Sequence, residues 1–159
     1  GGTIHVEGNA GDRVGLKMKK GLVELVGNAG DRVGEEMAGG EVRIKGSTGR
    51  YTGHHMWGGI VNVEGNCLTD GLGHKIRGGE IIVHGHATSY GRIGTQMSNG
   101  IIEVKGLTDG ESFEEIGGNM SGGEIILNTG QVNDYVKSKV AATFVGGKIW
   151  NNGKVIVLK

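Results

Sequence analysis

Six histidines and one cysteine hold most of the chemistry this sequence could offer. His54 and His74 occupy the same column of an internal repeat in adjacent units, His55 lies beside them, and His84 and His86 flank Gly85. Imidazoles stacked one strand spacing apart could share a zinc or copper ion, so His54 and His74 are the candidate metal ligands. The rest of their column reads Leu16, Glu35, Thr95 and Gly118, with no carboxylate or cysteine read as completing a site. The expectation is therefore solvated surface histidines and no metal. Cys67 sits in an inserted corner without neighbours that would lower its pKa, and reads as an incidental thiol. Glu35-Glu36 and Glu114-Glu115 are adjacent pairs, which suits charged edges better than an acid/base couple, and no serine stands in a nucleophile elbow. No catalytic residue is assigned, and no cofactor is expected in this chain.

The elements that would position these groups come from a repeat. At an offset of 19 residues, Gly8, Gly27, Gly46 and Gly65 fall into one column, Gly15, Gly34 and Gly53 into another, and Met18, Met37 and Met56 into a third. Each unit opens on a short alternating segment: Ile4/Val6, Val23/Leu25, Val42/Ile44, Val61/Val63, Ile81/Val83, Ile102/Val104 and Ile125/Leu127. Apolar residues at a period of two, mostly separated by polar ones, mark half-buried strands. Too few residues separate these strands for helical crossovers, so they can pair in parallel only by winding the chain into a coil. A second apolar set supplies the other walls: Val14, Val33, Thr52, Leu72, Ile93 and Ile116, then Met18, Met37, Met56, Ile76, Met97 and Met120.

Glycines belong at the corners, where φ turns positive or a Cβ would strike the next coil. Asn9, Asn28 and Asn66 follow corner glycines and suit left-handed geometry or side-chain hydrogen bonds between coils. A Gly-x-x-Gly-x-x-x-Gly pattern that recurs in every unit and precedes no helix is a corner, not a phosphate loop. The fold expected is all-β, a single-stranded parallel β-helix of 19–23 residues per coil over residues 1–130, with a capping segment at 131–159. In that cap, Gln131 to Val145 places Val132, Tyr135, Val136 and Val140 near helical spacing, and a strand with an Asn-Asn-Gly turn follows.

Periods lengthen along the chain, from 19 residues to 20, 21 and 23, and the extra residues enter one corner. Insertions on one face of a repeat stack often build its binding surface. The interface candidates are accordingly Cys67, Asp70, His86, Tyr90, Asp109, Phe113 and Glu114. The first residues carry no initiator Met and begin within a repeat, as a fragment of something longer would, and no matching cap is visible at that end. That end is expected to meet another segment, another copy in a homo-oligomer, or a partner.

Composition narrows the remaining classes. Thirty-five glycines and no proline accompany 17 basic and 17 acidic side chains, a formal charge of zero that removes the footprint of a nucleic-acid or acidic-membrane binder. No apolar run approaches the ~18 residues that span a bilayer. A lone cysteine fits a reducing compartment, and the expectation is a soluble, cytoplasmic protein.

The unit Gly-Asn-Ala-Gly-x-x-Val-Gly-x-x-Met-x-x-Gly, at Gly8 to Gly21 and Gly27 to Gly40, resembles the Gly-x-Gly-x-Gly repeat domain. That domain occurs in the solenoid subunit of formylmethanofuran dehydrogenases and at the C-terminus of the glutamate synthase large chain. The resemblance covers Gly2 to Leu127 and implies a right-handed β-helix with a structural role beside catalytic subunits or domains. Those neighbours carry molybdopterin with tungsten or molybdenum, iron-sulfur clusters or FMN. It implies a non-catalytic scaffold of a multisubunit redox enzyme, first of the formylmethanofuran dehydrogenase kind in one-carbon metabolism and methanogenesis. The alternatives are a glutamate synthase scaffold in ammonia assimilation, or an independent metal-dependent enzyme using the His54/His74 edge. The chain is shorter than the typical solenoid subunit of those dehydrogenases and elongates one corner in its own way.

Overall fold

The computed structural model describes residues 1–68, 70–88, 91–108, 113–129 and 133–159. In chain order its strands are β1 (Thr3–Glu7), β2 (Leu22–Val26), β3 (Ala38–Ile44), β4 (Gly58–Val63), β5 (Cys67–Leu68), β6 (Glu80–Val83), β7 (Ala87–Thr88), β8 (Gly91–Ile93), β9 (Ile101–Thr108), β10 (Phe113–Ile116) and β11 (Glu124–Thr129). A short helix α1 (Asn133–Ser138) and the strands β12 (Lys148–Asn151) and β13 (Lys154–Leu158) complete the chain.

These elements form a parallel β-solenoid of about seven turns. One wall is a nine-stranded sheet in the order β1-β2-β3-β4-β6-β9-β11-β12-β13, parallel throughout except for the last pair. Its register reproduces the sequence period: Ile4 pairs with Val23, Val23 with Val42, Val42 with Val61, Val61 with Ile81, Ile81 with Ile102 and Ile102 with Ile125. A one-residue slip would turn every aliphatic side chain outward, so burial of this column fixes the register.

Both apolar sets meet inside. From Val42 to Leu127 the inward-facing aliphatic pairs of the strands are fully buried, as are Val33, Thr52, Leu72, Ile93 and Ile116, and Met37, Met56, Ile76, Met97 and Met120. A further column of small residues closes the inserted corner: Ala29, Thr48, Cys67 and Ala87 are all buried, with Thr48 bridged to Cys67 and Cys67 paired with Ala87. The polar pair in this lining is satisfied internally, since the Thr52 hydroxyl donates to that of Thr48 at 3.1 Å.

Corners hold the coils together through side chains as well as backbone. The Asn9 carbonyl oxygen accepts from the Asn28 N–H at 2.9 Å, Asn28 from Ser47 at 2.8 Å, the Ser47 hydroxyl from Asn66 at 3.0 Å, and Asn66 from His86 at 2.8 Å. This is the stacked hydrogen bonding expected of the asparagines; left-handed backbone occurs elsewhere. Lys17, Glu36, His55, Lys75, Gln96 and Asn119 have φ between 53° and 59°. Five of them, all but Asn119, donate a backbone N–H to a carbonyl of the following turn at 2.6–2.9 Å. Stacking thus offsets the strain of a left-handed side-chain-bearing residue. At Gly59 (φ 88°) a Cβ would lie 2.8 Å from the Gly40 carbonyl oxygen, so only glycine allows the neighbouring coil to approach.

The cap differs in detail from its expected form. The helix is only six residues long, Val136 is buried under it, and Val140 forms a parallel bridge with Ile116 instead of extending the helix. Val132 lies outside the described residues. The far end is closed by a hairpin, with β12 adding a parallel strand and β13 returning antiparallel through Asn152 (φ 49°) and Gly153 (φ 73°). Those two left-handed residues make the turn that suits a twisted hairpin.

Candidate functional site

Opposite the large sheet, each coil makes a tight turn just after its second apolar column. The N–H groups of Glu35, His54 and His74 each donate to the carbonyl three residues earlier, at 3.0–3.1 Å. Repetition of this turn stacks Glu35, His54, His74 and Thr95 in successive coils, behind a parallel column of Arg32, Tyr51, Gly71 and Arg92.

Glu35 is the anchor of this face. It is 7 % exposed and accepts from Arg13 Nε at 2.9 Å, Arg32 Nη1 at 2.7 Å and His54 Nδ1 at 3.2 Å. Burial would raise its pKa, but the hydrogen bonds from Arg32, His54 and Arg13 outweigh burial and hold it below the ordinary carboxylate value. An ionised carboxylate only accepts, so His54 carries its proton on Nδ1 and leaves Nε2 for other partners. Two expectations are corrected here. Glu35 is a buried hub, not part of a charged edge, and His54, with 17 % of its side chain exposed, is not a solvated surface histidine.

The imidazoles lie face to face. His54 stacks on His55 with centroids 4.2 Å apart and on His74 at 5.3 Å, with interplanar angles of 26° and 21°. Among the described residues no group of three or more His, Cys, Asp or Glu is arranged to hold a metal ion. Burial, followed by the positive surroundings of His54, Lys75, His55 and Arg92, depresses the His74 pKa to about 4. His55 is lowered as well, by burial first and then by His54 and Lys75. At neutral pH His74 is therefore uncharged.

Between the two columns lies a cavity of about 310 Å³, reached by Arg32, Tyr51, His54, His74, Arg92 and Thr95, with Asp70 contributing a carboxylate and Gly71 the floor. Gly71 (φ 73°) interrupts the column of large side chains, and a Cβ there would strike the Tyr51 ring. The Thr95 hydroxyl is buried with no hydrogen-bond partner among the described residues. No family model, curated protein or solved structure matches the chain.

Sequence reasoning missed Arg13, Arg32, Tyr51, Arg92 and Thr95 as members of this site. Only Thr95, in the same column as His74, had a signal in the alignment; the period does not show which way Arg13, Arg32, Tyr51 and Arg92 turn. The interface candidates separate. Cys67 and Phe113 are buried in the solenoid and present no surface; burial pushes the Cys67 thiol pKa up. The column Ala10, Ala29, Thr48, Cys67, Ala87 could have revealed that Cys67 is core. Asp70 is half-exposed at the rim of the cavity, where Arg50 lies 3.9 Å from its carboxylate. Glu114 is exposed and accepts from Arg92 Nη2 at 3.3 Å, and His86 is exposed on another corner. Tyr90 and Asp109 lie outside the described residues. Among the described residues no helix is long and apolar enough to cross a membrane.

Proposed function

We propose that this chain is a non-catalytic scaffold, a rigid β-solenoid against which catalytic chains or domains of a redox enzyme assemble. The observation that supports this reading is the constant register of the aliphatic column in the large sheet, in which each coil repeats the last and the interior is filled by aliphatic and methionine side chains. Such a stack displays outward residues at fixed intervals of roughly 4.8 Å, a ruled surface suited to docking. The glycine-corner repeat that resembles the Gly-x-Gly-x-Gly domain makes the formylmethanofuran dehydrogenase type of complex the first choice of parent and glutamate synthase the second.

Affinity purification of the chain from its native source, followed by cofactor analysis of the co-purifying chains, tests this. Stoichiometric recovery with larger chains carrying a tungsten- or molybdenum-pterin supports the first parent, and flavin-bearing chains support the second. Recovery only as an isolated, active species would overturn the scaffold reading.

A further inference from the structure

We propose that the cavity over Gly71 is a binding site for a phosphoryl group, either free phosphate or the head of a small phosphate ester. Four features of the cavity point the same way. Arg32 and Arg92 bound it from opposite ends along the stack, and planar guanidiniums are the side chains best matched to phosphate oxygens. Thr95, 9 % exposed, lines the same cavity, and its hydroxyl has no hydrogen-bond partner among the described residues, an unmet buried donor that a rotation about χ1 would turn to a ligand. His54 and His74 line the wall between them. The Tyr51 ring packs over Gly71, where a Cβ would strike it, so the glycine lets that ring form part of the lining.

The carboxylates nearby do not cancel this. Glu35 is already engaged by Arg13, Arg32 and His54, so two guanidiniums share one carboxylate. Asp70 has Arg50 at 3.9 Å, and Arg92 is held by Glu114 at 3.3 Å and Glu115 at 3.8 Å on the solvent side. Surface pairs of that kind contribute little and exchange readily for a doubly charged ligand. Lys75, whose charge also helps depress His74, adds to the positive surroundings. Two guanidiniums and a hydroxyl offer more donors than the two oxygens of a carboxylate can use, whereas a phosphoryl group has three terminal oxygens. A volume of about 310 Å³ leaves room for a short ester tail.

The test is a titration of the full chain with inorganic phosphate, with glycerol phosphate and, at equal ionic strength, with acetate, following the ring resonances of His54 and His74. Saturable shifts with phosphate or the ester are expected, with the tighter of the two marking the source of the group. Arg92→Ala should weaken binding about tenfold or more, and Thr95→Val several-fold, the range of a hydrogen bond to a charged group. Both changes are conservative for folding, because Arg92 is exposed and valine matches the shape of threonine. A linear, non-saturating shift, equal binding by parent and both variants, or acetate binding as tightly as phosphate would each overturn the proposal.

Discussion

Glu35 and His54 meet at 3.2 Å across adjacent turns, a carboxylate and an imidazole at the same position of consecutive repeats. The contact is neither local in sequence nor part of the backbone ladder; stacking alone creates it. Because Arg13 and Arg32 share the same carboxylate, Glu35 ties together three coils.

Glu35→Ala should therefore destabilise the protein by about 1–3 kcal/mol, since two guanidiniums and an imidazole lose their acceptor. Glu35→Gln, which keeps the shape and one acceptor, should cost less. Chemical denaturation of the two variants beside the parent measures both.

Stability should fall as the pH is lowered from 6.5 toward 4. His74 has a folded pKa of about 4 against an ordinary 6.5, so between these values the unfolded chain binds a proton that the folded chain refuses. Below pH 4 both states are protonated and this loss is complete. Glu35 acts in the same direction at lower pH: its stabilisation is present above its ordinary 4.5 and disappears as pH falls through its depressed folded value. The slope from His74 should stay below the roughly 1.4 kcal/mol per pH unit of one full proton, because the ring is partly solvated. Melting temperatures between pH 7 and 4 give the profile, and His74→Gln should flatten the upper part of it.

Gly59→Ala should be far worse than Gly8→Ala, although both glycines have positive φ, 88° and 98°. At Gly59 the added methyl meets the Gly40 carbonyl oxygen at 2.8 Å and the Gly39 carbonyl carbon at 2.9 Å; at Gly8 it meets nothing within 4 Å. A cost of about 1–2 kcal/mol is expected at Gly8 from backbone strain alone, and ~3 kcal/mol or more at Gly59. Equal losses in thermal unfolding would refute the role assigned to close coil approach.

Met56→Ala should cost about 2–5 kcal/mol, the range for emptying a filled core site, because Met56 is fully buried in the column that holds Met37 and Ile76. Met18→Ala, at a partly buried position of the first coil, should cost less. Denaturant midpoints of the two variants compare an inner coil with an outer one.

How far the site can be read in advance differs residue by residue. The column of His54 and His74 is visible at once, since a fixed period places one over the other. Their partners are not. Arg32, Tyr51 and Arg92 reach the cavity by rotamers and by the absence of a side chain at Gly71, and no period encodes a rotamer. The burial of Phe113 and Cys67 escapes a sequence reading for a related reason. An inserted corner suggests surface, but Cys67 and Phe113, at the edges of their insertions, turn inward and complete the wall.

The sequence alone determined the parallel solenoid, its strand register and its interior columns. Each follows from a period: aliphatics two apart make a strand, strands 19–23 residues apart stack in parallel, and burial of that column fixes the register. Tertiary structure decided everything that depends on direction and distance across coils. It made Glu35 a buried hub, set the histidine rings face to face, closed the far end with a hairpin, and left a cavity lined by Arg32, Tyr51, His74 and Arg92. The physical reason is that a repeat specifies which residues become neighbours, whereas side-chain packing and charge decide which way those neighbours turn.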